Sequence, residues 1–246
     1  MPVPSETLHA FDLHARGYVA SWGSDPLAQW MRARVLALCA KFFPASSRVL
    51  DLGCGPGLDA AALTALGYRV TAIDASSGMV AEARTRSPDA RIGDLDRLDL
   101  PDEPYDGALS NFGAINCLSR LDGFGRGLAG ALKPGAYAVL VIINRWCPAE
   151  DLALAVRARR PRRRGTVVSL EGRAVPVRYL TGRDLRNIPG FTFVHQEALG
   201  AFVAPPDLGG ALGRRARLEP WVAAFPGVRD LGDHTLVVLR RRNNAS

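Results

Sequence analysis

Lysine is almost missing from this chain: Lys41 and Lys133 are the only two among 246 residues, so arginine carries nearly all the positive charge. The net charge of +7 therefore does not by itself identify a nucleic-acid partner. The six arginines within residues 157–164 account for all but one unit of it. That is a local basic loop, not a basic surface. Long apolar runs are missing too. The longest, Ala136–Ile143, has eight residues, where a membrane-spanning helix needs about 20. The opening MPVPSETLHAFDLHARGYV lacks the basic start and apolar block of a secretory signal. A soluble, cytoplasmic protein with no membrane partner is the expectation. Cysteine is sparse and scattered (Cys39, Cys54, Cys117, Cys147), without a C-x-x-C pair. Neither a disulfide framework nor a metal site is expected from it.

What remains is an ordinary apolar content of 48%, enough for a sizeable core. The length suits one α/β domain. Apolar strand patterns fall at 48–52, 68–73, 90–93, 105–110 and 136–143, with helical patterns near 58–66, 76–86 and 121–132 between them. Strands alternating with helices over short connections predict right-handed crossovers and a mainly parallel sheet. Two helices precede this core, near 6–16 and 26–40, the second opening on Asp25-Pro26. After it, residues 148–160 read as helix and TVVSLEGRAVPVRYL as a hairpin turning at Glu171-Gly172. FTFVHQEALG and HTLVVLR then form two strands with no crossover helix between them, which predicts an antiparallel pair at the far edge of the sheet.

The stretch VLDLGCGPG, residues 49–57, raises the functional question. Gly53 and Gly55 let the backbone take left-handed conformations and approach a ligand, while Gly57 allows close packing against the strand. The following helix turns its positive end toward the loop. A dinucleotide, a phosphate or a nucleoside could all sit there. Two details separate them. Leu58 stands where a dinucleotide fingerprint has its third glycine, and no lysine follows for a phosphate loop. Asp51, just upstream, repels a pyrophosphate and suits a cationic group such as an ammonium or a sulfonium. Asp74 ends the next strand, where a carboxylate accepts both hydrogen bonds of a ribose diol. In Gly93-Asp94-Leu95, the Asp94 side chain can accept from an adenine amino group while the Leu95 backbone donates to the ring. Ser110-Asn111-Phe112-Gly113 lies at the ligand crevice where strand order reverses.

With these pieces the chain resembles the class I S-adenosylmethionine-dependent methyltransferases, in their small-molecule, type-11-like branch. The matching segments are VLDLGCGPG, VTAIDASSGM, IGDLDRLDLPDEPYDGALSNFGAINCL and LKPGAYAVLVIINRWCP, over about residues 47–148. The resemblance implies a Rossmann-like, doubly wound, mainly parallel seven-stranded sheet with an antiparallel last strand. It implies S-adenosylmethionine as cofactor and S-adenosylhomocysteine as product. Cofactor contacts carry over to the loop, Asp51 with Gly53, Cys54, Gly55 and Gly57, and to Asp74 and Ala75. They carry over also to Met79 against adenine, to Asp94 and Leu95, and to Asn111 and Phe112. Tyr18, within FDLHARGY, corresponds to a lid tyrosine over the cofactor carboxylate, although Val19 departs from the acidic residue common beside it. The division implied is one domain: an N-terminal helical lid (1–40), the cofactor core (47–144), a substrate-cap insertion (145–190) and the C-terminal strand pair (191–242).

Methyl transfer to an O, N, S or C atom of a small acceptor then proceeds by in-line displacement, with positioning and desolvation carrying most of the rate. Where the acceptor arrives protonated, His234 is the first candidate base, with Tyr179 and His14 as further catalytic candidates. His195, sharing a strand with Phe191 and Phe193, reads as packing, as does Cys147 in WCP. Trp22, Trp30, Phe112, Trp146, Tyr179 and Phe202 hint at a hydrophobic acceptor. The alternatives are an RNA or protein methyltransferase using the 157–164 arginines, and a non-catalytic cofactor-binding protein. A nicotinamide dehydrogenase is disfavoured by Leu58 and Asp51.

Overall fold

A computed structural model describes residues 3–98, 103–156, 166–202, 219 and 221–243. The arginine cluster at 157–164 and Asp99 lie outside them.

Strand β1 (Arg48–Leu52) shows how the sheet is covered on both sides. Leu50 and Leu52 point into one cluster with Phe124, Leu128, Leu185 and Ile188. Val49 points the other way, toward Leu27, Met31, Val35 and Leu38. This two-residue alternation with both faces apolar is what a central parallel strand requires. Around it stand β2 (Arg69–Asp74), β3 (Ala90–Ile92), β4 (Tyr105–Ser110), β5 (Leu132–Ile143), β8 (Phe191–Leu199) and β9 (His234–Arg241). Their order is β3-β2-β1-β4-β5-β9-β8. β1 to β5 run parallel, and β9 runs antiparallel to both β5 and β8. The six residues of β9 from His234 to Leu239 are all buried, as a strand inserted between two others must be. The order in which successive strands are added reverses between β1 and β4, which opens a crevice at the carboxyl ends of these strands.

The helices are α1 (Ser5–Tyr18), α2 (Pro26–Phe42), α3 (Leu58–Ala65), α4 (Ser77–Arg84), α5 (Leu121–Ala131), α6 (Pro148–Val156) and α7 (Gly182–Arg186). α2 starts at a capped end: Asp25 Oδ1 accepts from Ala28 N at 2.9 Å, ahead of Pro26 at the first helical position. Its Leu27, Met31, Val35 and Leu38 lie in the core cluster with Val139, Val141, Leu236 and Val238 of the sheet. α2 is thus chiefly a core layer, while α1 overhangs the crevice. A five-residue π-helical turn, Val19–Gly23, joins the two.

The hairpin is formed by β6 (Val167–Leu170) and β7 (Arg173–Pro176), a two-stranded sheet of its own. Glu171 (φ +50°) and Gly172 (φ +74°) form its turn, both left-handed as in a tight primed hairpin turn. A lone hairpin is marginal in water; this one leans on α1, where Ala10 joins Val175 and Val177 in a cluster flanked by Phe11, Leu170 and Tyr179.

The fifth strand starts earlier than its apolar run. Leu132 already pairs with Tyr105, and the register slips before Tyr137 pairs with Gly107. Pro134-Gly135 forms an irregularity within the strand, because proline donates no ladder hydrogen bond. α6 is described over Pro148–Val156, and the rest of the helix expected over 148–160 lies outside the described residues.

Candidate active site

The loop after β1 is tied down before it can bind anything. Gly53 N and Cys54 N both donate to Ile73 O of β2, at 2.8 and 3.0 Å. Gly53 has φ +71°, and a Cβ there would lie 2.1 Å from Ala114 Cβ. Gly55 has φ +51° and nothing within 4 Å of its missing Cβ. It faces a cavity of about 270 Å³ whose floor includes Gly53, Cys54, Gly55 and Pro56. Gly57 permits a close approach of a different kind from the strand contact expected: its missing Cβ faces Ala83 Cα of α4 at 3.0 Å.

One half of this cavity is polar. Asp74 lines it, Oδ2 accepting from Gly55 N and Oδ1 from Ser76 N, each at 2.9 Å. The Ala75 backbone also donates to this carboxylate, whose two oxygens offer about four acceptor sites and so retain capacity for a ligand. Ala75, Met79, Asp94 and Leu95 line the same half. Asp94 Oδ1 accepts from Asp96 N at 2.9 Å, and Asp96 itself turns away to Ser119 N at 3.2 Å. Asp51 lies beneath the loop, 1% exposed and outside the lining, with Oδ2 lacking any hydrogen-bond partner. Burial pushes its carboxyl well above the usual range, helped by Asp59 and Asp74.

Two residues of this half escape a reading of the sequence. Asp59, in the first turn of α3, accepts from Arg32 Nε at 2.9 Å and from Asn111 Nδ2 at 3.3 Å. Burial raises its carboxyl while Arg32 opposes the rise. Arg32, from α2, lines the cavity beside Tyr18 and places its guanidinium 4.9 Å from the centre of the Phe112 ring. Phe112 has φ +49°, rare for an aromatic residue, held by its N–H to Asn111 Oδ1 at 2.9 Å. The only signals were an Asp just past the glycines and an Arg on an ordinary core helix. Two buried carboxyl groups, Asp51 and Asp59, and the half-buried Asp74 stand near a single guanidinium, that of Arg32, which leaves this end of the cavity short of positive charge. Burial, and then Asp59, push the Tyr18 phenol above its ordinary pKa and make it a weaker acid.

The other half is apolar. Leu8 and Phe11 of α1 and Val168, Leu170, Val175 and Val177 of the hairpin roof it, with Leu118 and Ile143 on the opposite walls. Cys117 also lines it, its thiol pushed up to about 11 by burial and by Asp74.

The three catalytic candidates stand off this lining among the described residues. His234 pairs with Ile143 across β5 and β9, at the ligand end of the sheet. The Phe112 ring, 5.7 Å away and edge-on, lines the cavity; His234, 3% exposed, does not. His234 Nδ1 lies 3.0 Å from Asp233 Oδ2 without hydrogen-bond alignment. His14 pairs with Glu171 Oε1 at 2.8 Å and sets its ring edge-on to Tyr18 at 5.6 Å. Tyr179 borders the cluster under the hairpin. His195 holds Glu197 Oε2 at 3.1 Å. Of the aromatic residues taken as hints of an apolar acceptor, Phe112 lines the cavity. Trp22 stacks edge-on against Phe112, while Trp146 and Phe202 are exposed. Cys147, Glu150 and Asp233 bring ligand-type atoms within 4.8 Å of one another, a grouping the scattered cysteines did not suggest, and none of the three is without a partner.

Residues 50–140 match the model of a family described as a methyltransferase domain. A demethylmenaquinone methyltransferase of Beutenbergia cavernae is 35% identical over 158 residues, 61% of this chain and 63% of that protein. A ubiquinone biosynthesis O-methyltransferase of Xanthomonas axonopodis pv. citri is 30% identical over 162 residues, 61% of this chain and 68% of that protein. The match thus spans about two thirds of these relatives. Among solved structures, the CcbJ methyltransferase of Streptomyces caelestis superposes with a TM-score of 0.64 at 20% identity, covering 98% of this chain and 100% of that one. At that identity the likeness is one of fold.

Proposed function

Because the chain belongs to the class I S-adenosylmethionine-dependent methyltransferases, we propose that it methylates a small, apolar, uncharged acceptor held under the β6–β7 hairpin. The observation that carries this reading is one cavity lined both by the carboxylates Asp59, Asp74 and Asp94 and by the aliphatic side chains Val168, Leu170, Val175 and Val177 of the hairpin region.

The residues present suit the cofactor. Gly55 leaves open space in front of its backbone, and the buried Asp51 Oδ2 has no partner of its own. A cationic amino-acid end is what that surplus of negative charge accommodates. In this reading Asp51 and Asp59 favour the ammonium group, and Arg32 and Tyr18 favour the carboxylate. Asp74 accepts from the ribose hydroxyls, and Asp94 with Leu95 and Met79 takes the adenine. When bound, S-adenosylmethionine supplies a methyl group on a sulfonium, which a lone pair of the acceptor displaces in line.

The chain's own contribution is placement and dryness. Phe11, Val168, Leu170, Val175 and Val177 exclude water from the acceptor half, where a charged acceptor would lose several kcal/mol of hydration without a partner. Since the transferring group loses positive charge on the way, no oxyanion hole is required, and positioning accounts for most of the acceleration. In this reading His14, Tyr179 and His234 stand behind the lining, and the proton of a hydroxyl acceptor leaves to solvent once the methyl is transferred. The printed names of the relatives, which concern quinone biosynthesis, favour an acceptor ring of the quinol type.

The test supplies methyl-labelled S-adenosylmethionine together with apolar phenols and hydroquinones, and separately with RNA and protein extracts. Label in the solvent-extractable small molecules is the expected result. Label confined to RNA or protein overturns it.

A further inference from the structure

α1 roofs the cavity with Thr7, Leu8 and Phe11, yet the side chains it buries (Thr7, Ala10, Ala15) are small. Its start has no side-chain cap either. Apolar burial alone therefore holds it weakly. Its polar hold on the sheet domain is Asp12. Oδ1 accepts from Ser76 Oγ at 2.6 Å, from Gly78 N at 2.7 Å and from Ser77 Oγ at 3.4 Å. A carboxylate at the start of a helix is favoured by the free amides and the dipole there. Gly78 makes the approach possible: a Cβ would lie 2.8 Å from Asp12 Cα.

Ser76 connects this contact to the cofactor side. Its hydroxyl, while donating to Asp12, accepts from Met79 N at 3.1 Å as the cap of α4. Its backbone N–H donates to Asp74 Oδ1 at 2.9 Å. One serine thus joins the roof helix, the carboxylate assigned to the ribose and the methionine assigned to the adenine. Asp12 itself does not line the cavity.

We propose that Asp12 is a positioning residue for cofactor retention: it locks α1 over the cavity and, through Ser76, fixes Asp74, so that bound cofactor leaves only after this contact breaks. The inference rests on the cofactor site proposed above, and deepens it by naming what sets residence time. In that role Asp12 touches no substrate atom and is replaceable by any group that accepts the same hydrogen bonds.

The experiment measures release of S-adenosylhomocysteine by stopped-flow tryptophan fluorescence, using Trp22 against Phe112 at the cavity wall. The variants are Asp12→Ala, which removes the acceptor, Asp12→Asn, which keeps one oxygen, and Gly78→Ala, which leaves Asp12 intact and pushes α1 away. Glu6→Ala, on the exposed face of α1, is the control. Asp12→Ala and Gly78→Ala are expected to release the ligand about tenfold faster, the equivalent of one lost charge-assisted hydrogen bond. Asp12→Asn falls between, and Glu6→Ala matches wild type. Hydrogen exchange adds a readout independent of turnover: ligand should protect α1 amides in wild type and fail to do so in Asp12→Ala. Release at the wild-type rate from both Asp12→Ala and Gly78→Ala overturns the proposal while leaving the cofactor site standing. Failure of the wild-type protein to bind the ligand refutes the site itself, and the proposal with it.

Discussion

Two glycines of one loop, given the same extra methyl group, should fail in opposite ways. At Gly53, alanine meets a left-handed φ of +71°, which costs an L-residue about 1–2 kcal/mol. Its Cβ would also sit 2.1 Å from Ala114 Cβ, less than any tolerable carbon–carbon contact, so the loop or the Ala114–Cys117 turn must shift. Overpacking of that kind costs a further 1–3 kcal/mol or about that. Together Gly53→Ala loses roughly 2–5 kcal/mol, a large part of a stability that is typically about 5–15 kcal/mol. At Gly55 the left-handed φ of +51° remains, but nothing lies within 4 Å of the new methyl. There the stability loss stays near the backbone cost of about 1–2 kcal/mol. The methyl instead occupies the space that the ligand backbone contact needs, so binding is abolished. Urea unfolding measures the first effect and calorimetry with S-adenosylhomocysteine the second. Equal stability losses in the two variants, or a Gly55→Ala protein that binds at wild-type affinity, would refute the account of the loop.

Further expectations follow from the buried charges. Asp51 has its acidity weakened by burial and by Asp59 and Asp74, so the folded protein keeps a proton that the unfolded chain releases above about pH 4. Its contribution to stability is complete below that pH and is lost as pH rises through the raised value. Asp51→Asn should therefore be more stable than wild type at pH 8, with the gap closing near pH 4 in urea melts, while cofactor binding weakens. Glu197 behaves oppositely. Burial alone would raise its carboxyl, but hydrogen bonds from His195 and Arg34 hold it below the usual range. That stability is present above about pH 4.3 and lost as pH falls through the lowered value. Arg34→Met strands the buried carboxylate and should cost about 3 kcal/mol at pH 8. Adding Glu197→Gln should recover much of this, and a double variant no better than the single would contradict the pairing.

Much of the architecture was legible because it rests on local periods. The short apolar stretch in 48–52 and the run in 136–143 mark strands wherever they end up in the sheet. The lack of a crossover-helix pattern in the sequence between the two apolar runs was enough to predict that β8 and β9 pair antiparallel. Contacts between distant side chains were not legible. Arg32 reaches Asp59 across 27 positions, and an arginine on an amphipathic helix looks the same whether it faces a cavity or water. His234 does fall at the ligand end of the sheet, but no pattern in the chain announces that the Phe112 ring stands between it and the cavity. α2 was read together with α1 as a lid because both precede the first strand. What separates them is the line Leu27, Met31, Val35, Leu38 packed on the sheet, set against the small side chains that α1 buries.

The central claim is that this cavity holds the cofactor with Asp74 on its ribose. Calorimetric titration of S-adenosylmethionine and S-adenosylhomocysteine into wild type and Asp74→Ala tests it most directly. Micromolar binding to wild type that falls at least a hundredfold in the variant is the predicted result. No binding to folded wild-type protein, or equal binding to both proteins, would contradict it.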